Sequence, residues 1–252
     1  NLYRPDLVQA RGDGEQGDVL GVRDTRVHQL CVAIKPIHQR IFKKAEPFLH
    51  TRKNLIHTKI ALRYALKLLK SEKGNEGIVI PAIILHDVGW NAIPEHLHLT
   101  AFGPNPSNPK LAKVHEVEGA KIAKAILEKL HYPPANVKEI CQIIQGHDSR
   151  KRPLSWNDRM VKDADKLTRY SRKGMAIDLD RFHIPRRDYL VFLEAIIDHW
   201  FLTPTGKGAD DHRRVHQLRR LRAGQIRAFP LPYLNLRPTL RAMWGYQARD
   251  RT

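Results

Sequence analysis

Cysteine is nearly absent from this sequence: Cys31 and Cys141 are the only two among 252 residues. A disulfide scaffold is thereby excluded, and two free thiols in a reducing compartment are expected rather than one bridge. Long apolar runs are missing too. The longest, residues 78–85, is far short of the roughly 20 residues that a membrane-spanning helix needs, and it contains Pro81. No basic-then-apolar signal segment opens the chain. It starts with Asn, as a fragment or a chain stripped of its first Met would. A cytoplasmic location without a membrane partner is the expectation. Acidic residues are in short supply: 26 Asp and Glu face 44 Lys and Arg, a formal charge of +18. Strand signals are nearly absent as well, which leaves an all-α class.

What remains is helical periodicity in the middle of the chain. Over 53–70, Leu55, Leu62, Leu66 and Leu69 recur at the spacing of an amphipathic helix. Pro81 is expected to open a short apolar helix over 81–88. Residues 91–109, rich in Pro, Asn and Gly, read as a long loop. Further helices are expected over 110–130, from Pro133 to about Gly146, over 156–170 with Ser155 as cap, and over 187–201. Domain limits follow: a loosely ordered extension over 1–40, a helical domain over 41–206, and an Arg-rich extension over 207–252. The middle stretch 35–174 holds 26 basic and 13 acidic residues, so it carries +13 of the total charge.

The helical positions of certain ionisable residues carry the chemistry. His57 shares a face with Ala61, Tyr64 and Leu68. His86 and Asp87 follow Ala82-Ile83-Ile84-Leu85 directly. His115 lies on a face with Gly119, Ile122 and Ile126. His147 follows Ile140 and Ile144 at helical spacing, and Asp163 and Asp165 flank Ala164. A lone His on an apolar face is usually a satisfied core residue. Several ionisable groups on separate inward faces need compensation, because burying them is costly. A divalent metal supplies it, and imidazole and carboxylate suit Mn, Fe, Co, Ni or Zn. Periodicity alone does not choose between Asp163 and Asp165. Asp148 is given a solvated or supporting role.

The order His57, His86-Asp87, Asp165 resembles the HD-domain superfamily of metal-dependent phosphohydrolases, in particular small stand-alone bacterial members. Ile-Leu-His-Asp-Val-Gly-Trp at 84–90, His-Glu-Val-Glu-Gly-Ala at 115–120, Gly-His-Asp at 146–148 and Lys-Asp-Ala-Asp-Lys-Leu at 162–167 carry the likeness. It covers about residues 45–205; the two ends match the family poorly. The resemblance implies an HD-domain helical bundle in which His57, His86, Asp87 and Asp165 hold a first ion. His115 and His147 match positions that hold a second ion or grip phosphate, and Asp87 then bridges. Asp87, His115, His147 and Lys166 are the candidate catalytic residues, with Lys166 reaching a phosphate. Arg150, Lys151 and Arg152 would form a basic rim.

The function so implied is metal-dependent hydrolysis of a phosphate ester or anhydride, such as a nucleotide, with a small phosphorylated substrate as partner and homo-oligomer formation left open. Relatives with a six-ligand set that hold two irons and cleave C–C or C–P bonds supply an oxygenase alternative. The third reading is a basic nucleic-acid-binding protein, since a charge of this size binds nucleic acid nonspecifically at low salt. No helix-turn-helix, zinc-finger or RNA-binding aromatic motif supports specific recognition.

Overall fold

The computed structural model describes residues 34–101, 107–209 and 211–212. Cys31, residues 1–33 of the expected extension and nearly all of the Arg-rich tail lie outside the described residues. The elements are α1 (Pro36–Ala45), α2 (Asn54–Leu69), α3 (Glu76–Leu85), α4 (Lys110–Lys129), α5 (Pro134–Ile144), α6 (Trp156–Leu167), α7 (Arg172–Phe182) and α8 (Arg186–Trp200). No strand occurs among the described residues, so the all-α class holds. No single described helix is long and apolar enough to cross a membrane.

Helix α3 is the axis of the bundle. Every residue from Ile78 to Leu85 is buried, and α1, α2, α5 and α6 pack around it. Each fully buried Ile or Leu contributes about 1.5–3 kcal/mol, so this segment contributes heavily to the stability of the core. Expected as the first residue of this helix, Pro81 instead lies inside it; the helix begins at Glu76, where the Asn75 side chain accepts from Gly77 N. An internal proline deprives the carbonyl four residues back of its donor. That carbonyl, Gly77 O, accepts from Tyr132 Oη at 2.8 Å instead. The break is thus repaired from a neighbouring segment, a compensation that local sequence does not reveal.

Two further helices depart from expectation. Residues 36–40, assigned above to the loosely ordered extension, belong to α1, whose His38, Ile41, Phe42 and Ala45 are buried. Helix α7 lies where no periodicity was read; Ser171 caps it by accepting from Gly174 N at 3.0 Å. The expected loop over 91–109 contains short turns of helix at Glu95–Leu97 and His98–Ala101. Ser155 does cap α6, its hydroxyl accepting from Asp158 N at 3.1 Å. Cys141 is a half-buried free thiol.

One backbone contact sets the site's geometry. The 3-10 turn Val88–Ala92 lies against α4. A Cβ on Gly89 would fall on the His115 carbonyl and on Gly119 N, well inside van der Waals contact. Only a glycine lets these backbones meet, and their meeting brings the end of α3 beside His115.

Candidate metal centre

Six side chains converge where α2, α3, α4, α6 and the segment after α5 come together. His57 sits on the first turns of α2, His86 and Asp87 follow α3, His115 is on α4, His147 follows α5, and Asp165 is on α6. His86, Asp87, His115, His147 and Asp165 are buried, and His57 is half-buried. The Nε2 atoms of His57 and His86 are 3.1 Å apart, and those of His115 and His147 are 3.3 Å apart. Asp165 Oδ1 lies 3.0 Å from His57 Nε2 and 3.7 Å from His86 Nε2.

Asp87 stands between the two pairs. Its Oδ2 is 3.6 Å from His57 Nε2 and 3.5 Å from His86 Nε2. Its Oδ1 is 3.7 Å from His147 Nε2 and 4.0 Å from His115 Nε2. Two overlapping trios result, His57–His86–Asp87 and Asp87–His115–His147, with candidate donor atoms within 4.8 Å of one another.

The donor chemistry fits a cation in each trio. His86 Nδ1 lies 2.8 Å from Ile83 O, and His147 Nδ1 lies 2.9 Å from Ile144 O. A carbonyl there requires the proton on Nδ1, which turns the Nε2 lone pair inward. Lone pairs and carboxylate oxygens crowded together repel unless a cation lies among them. Trp90 holds the bridge in place: its Nε1 donates to Asp87 Oδ1 at 3.1 Å, and its ring stacks on His115 with centroids 4.1 Å apart.

The electrostatics pull the carboxylates one way and divide the imidazoles. Burial opposes the Asp87 charge, but His86, His147 and His57 outweigh it and hold the carboxyl well below its usual range. Burial likewise opposes the Asp165 charge, and the bond to His57 overcomes it, again lowering the pKa. Burial lowers His86. It also drives His115 down to about 4, with His147 adding to the effect. His147 moves the other way: burial disfavours its cation, yet Asp148 and Asp87 raise it to about 10.

The choice between the two Asp of α6 is settled by packing. Asp163 is turned away, its carboxylate accepting from Leu202 N at 2.9 Å and from Thr203 N and Oγ1 at 2.8 and 2.7 Å. It ties α6 to the segment after α8. Lys166 is not a solvated helix lysine; its Nζ donates to Trp200 O at 3.2 Å and feels the charges of Asp163, Asp165 and Asp148. The basic rim is smaller than expected. Arg150 donates to Asp158 Oδ2 at 2.8 Å, which leaves only Lys151 and Arg152 of that run exposed.

Sequence reasoning passed over several supporting residues. Asp148, given a solvated or supporting role above, is exposed and places Oδ2 at 3.5 Å from His115 Nε2 and 3.6 Å from His147 Nε2. Glu116, fully buried, accepts from the backbone N of Asp148 and Ser149 at 3.0 and 2.8 Å. Lys162 is buried and donates to the carbonyls of Gly146 and His147 at 2.7 and 2.6 Å. A charged residue next to an inward helix face was the available signal at both positions. Replacing Lys162 by Met leaves the His147 carbonyl without its donor, while Gly146 O keeps the Arg150 N–H at 3.1 Å, and should cost about 1–3 kcal/mol. Chemical denaturation measures it, and wild-type stability in this variant would contradict the assigned role.

Residues 54–170 match the family model described as HD domain. No curated protein and no solved structure matches the chain. The matched stretch begins at the first residue of α2 and runs past Asp165, so it contains all six converging side chains. The helical bundle, the order of the converging residues and this match agree in identifying residues 54–170 as an HD domain.

Proposed function

We propose that this centre holds one or two divalent cations and that the protein hydrolyses a phosphate ester or anhydride. The observation that carries the reading is Asp87, a single carboxylate whose two oxygens face separate pairs of imidazole nitrogens. His57, His86, Asp87 and Asp165 would hold the first ion, and Asp87, His115 and His147 the second. A cation bound there supplies Lewis acidity toward a phosphoryl oxygen and lowers the pKa of water to near neutrality.

The chain's own groups do the rest. Carbonyl bonds on Nδ1 fix the rings of His86 and His147, so their nitrogens are presented without reorganisation. With one ion in the first trio, the His115–His147 pair is left to grip phosphate or deliver a proton to a leaving group. Lys166, beside Asp165, adds positive potential, and the +13 of residues 35–174 favours an anionic substrate. Metal analysis of the purified protein, followed by a screen of phosphate compounds with Mn²⁺, tests the reading. Metal near stoichiometry and metal-dependent hydrolysis are expected. No hydrolysis by metal-loaded protein, with substrate-dependent oxygen uptake by the iron-loaded form, would replace it with the oxygenase reading.

A further inference from the structure

The two halves of the centre differ in one respect that Asp148 removes. Four donor atoms face the first position: His57 Nε2, His86 Nε2, one oxygen of Asp87, and Asp165 Oδ1 at 3.0 and 3.7 Å from the two nitrogens. The second position is faced by His115 Nε2, His147 Nε2 and the other oxygen of Asp87. Asp148 Oδ2 stands 3.5 Å from His115 Nε2 and 3.6 Å from His147 Nε2, in the relation that Asp165 has to the first pair. Each pair of imidazoles thus meets one oxygen of the shared carboxylate and one carboxylate of its own.

The spacing suits a single ion among these atoms. With bonds of about 2.1 Å, the donors on a four-coordinate ion lie about 3.4 Å from one another. At the second position the imidazole nitrogens are 3.3 Å apart, and they lie 3.5–4.0 Å from the nearest oxygens of Asp87 and Asp148.

The turn that carries Asp148 is braced from two sides. Glu116 reaches it from α4: its Oε1 accepts from Asp148 N and Ser149 N at 3.0 and 2.8 Å, and its Oε2 accepts from Ser149 Oγ at 2.6 Å. Lys162 reaches it from α6, donating to Gly146 O and His147 O at 2.7 and 2.6 Å. Both charged residues are buried. Burying two charges to hold one turn is costly, and a loop that only links two helices needs no such bracing. What the bracing fixes is the backbone of His147 and Asp148, which presents the two side chains together. The Asp148 side chain is 46% exposed, against 11% for Asp165.

We propose that Asp148 is the fourth ligand of the second cation position. The centre then consists of two matched positions, each with two histidines and two carboxylate oxygens, joined through Asp87. The assignment rests on the reading of this centre as a cation site. Water screens the Asp148 charge more than that of Asp165, so the second ion is the more weakly held and its occupancy follows the free metal concentration.

The test is titration of the full chain with Mn²⁺, followed by calorimetry and by the electron paramagnetic resonance of the bound ion. Wild type, Asp148→Asn and Asp165→Asn are compared. Asp148→Asn keeps the side-chain volume and the backbone bond to Glu116, and its melting temperature without metal checks that it folds. Wild type should bind two ions, one tightly and one more weakly. Asp148→Asn should weaken the second about tenfold or more and change the first by no more than about twofold, and Asp165→Asn should do the reverse. The spin-coupled signal of a Mn²⁺ pair in wild type should give way to that of an isolated ion in Asp148→Asn at the same metal concentration. Fewer than two ions in wild type, or equal Mn²⁺ affinities in wild type and Asp148→Asn, would overturn the assignment and leave Asp148 a counter-charge to the His147 imidazole. Two ions, one of them dependent on Asp148, in a protein that hydrolyses no phosphate compound would sustain the assignment and defeat the hydrolase reading.

Discussion

Asp87→Ala should abolish turnover, with activity down by at least about a thousandfold at any attainable metal concentration. The reason is positional. Asp87 is the only residue common to the two trios, and its two oxygens reach imidazoles on opposite sides. Deleting it removes negative charge from both cation positions and unties Trp90 Nε1, which donates to Oδ1 at 3.1 Å. Metal titration should show both affinities weakened, so matched occupancy has to be verified before rates are compared. Asp87→Asn separates shape from charge. It keeps an acceptor for Trp90 and the side-chain volume, yet loses the charge, and its activity should stay close to that of the alanine variant. Full activity in Asp87→Ala would rule out the proposed centre. Selective loss of metal from one trio would show that the carboxylate serves one ion and not two.

Gly89→Ala should be as damaging without altering the side chain of a single proposed ligand. The new methyl would overlap the His115 carbonyl and the Gly119 amide, and Gly119 Cα would lie 2.8 Å away. All three are backbone atoms, so no side-chain rotation relieves the clash. The turn after α3 must lift off α4, at about 3 kcal/mol, which corresponds to roughly 10 °C in Tm. Separation of the two backbones also parts His86-Asp87 from His115, so metal affinity should fall with stability. Gly119→Ala is the control. A methyl there meets Gly89 N at 3.3 Å and Ile144 Cγ2 at 3.4 Å, which small adjustments absorb. Scanning calorimetry with metal titration of both variants measures the contrast. A Gly89→Ala protein that melts and binds metal like the wild type would show that the close approach does not position the site.

The sequence by itself determined the class and the candidate inward-facing residues, because both are written in local periodicity. Apolar repeats placed most helices, and imidazoles or carboxylates on inward faces stood out since burial of such groups is costly without compensation. That reasoning reached His57, His86, Asp87, His115 and His147. It could not separate Asp163 from Asp165, two residues apart on one helix: only the segment at Leu202 and Thr203, folding back onto Asp163, consumes that carboxylate and leaves Asp165 facing His57. Pro81 misled for a similar reason, as its lost hydrogen bond is repaired by Tyr132 from another part of the chain. Asp178 with Arg169 and Arg181 had no local signature, since only the packing of α8 brings Tyr189 against the Asp178 carboxylate. Helical period reports which face is buried, whereas partners come from segments distant in sequence. The central position of Asp87, the support from Trp90, Glu116 and Lys162, and the pairing of Asp178 with Arg169 and Arg181 are properties of the packed bundle alone.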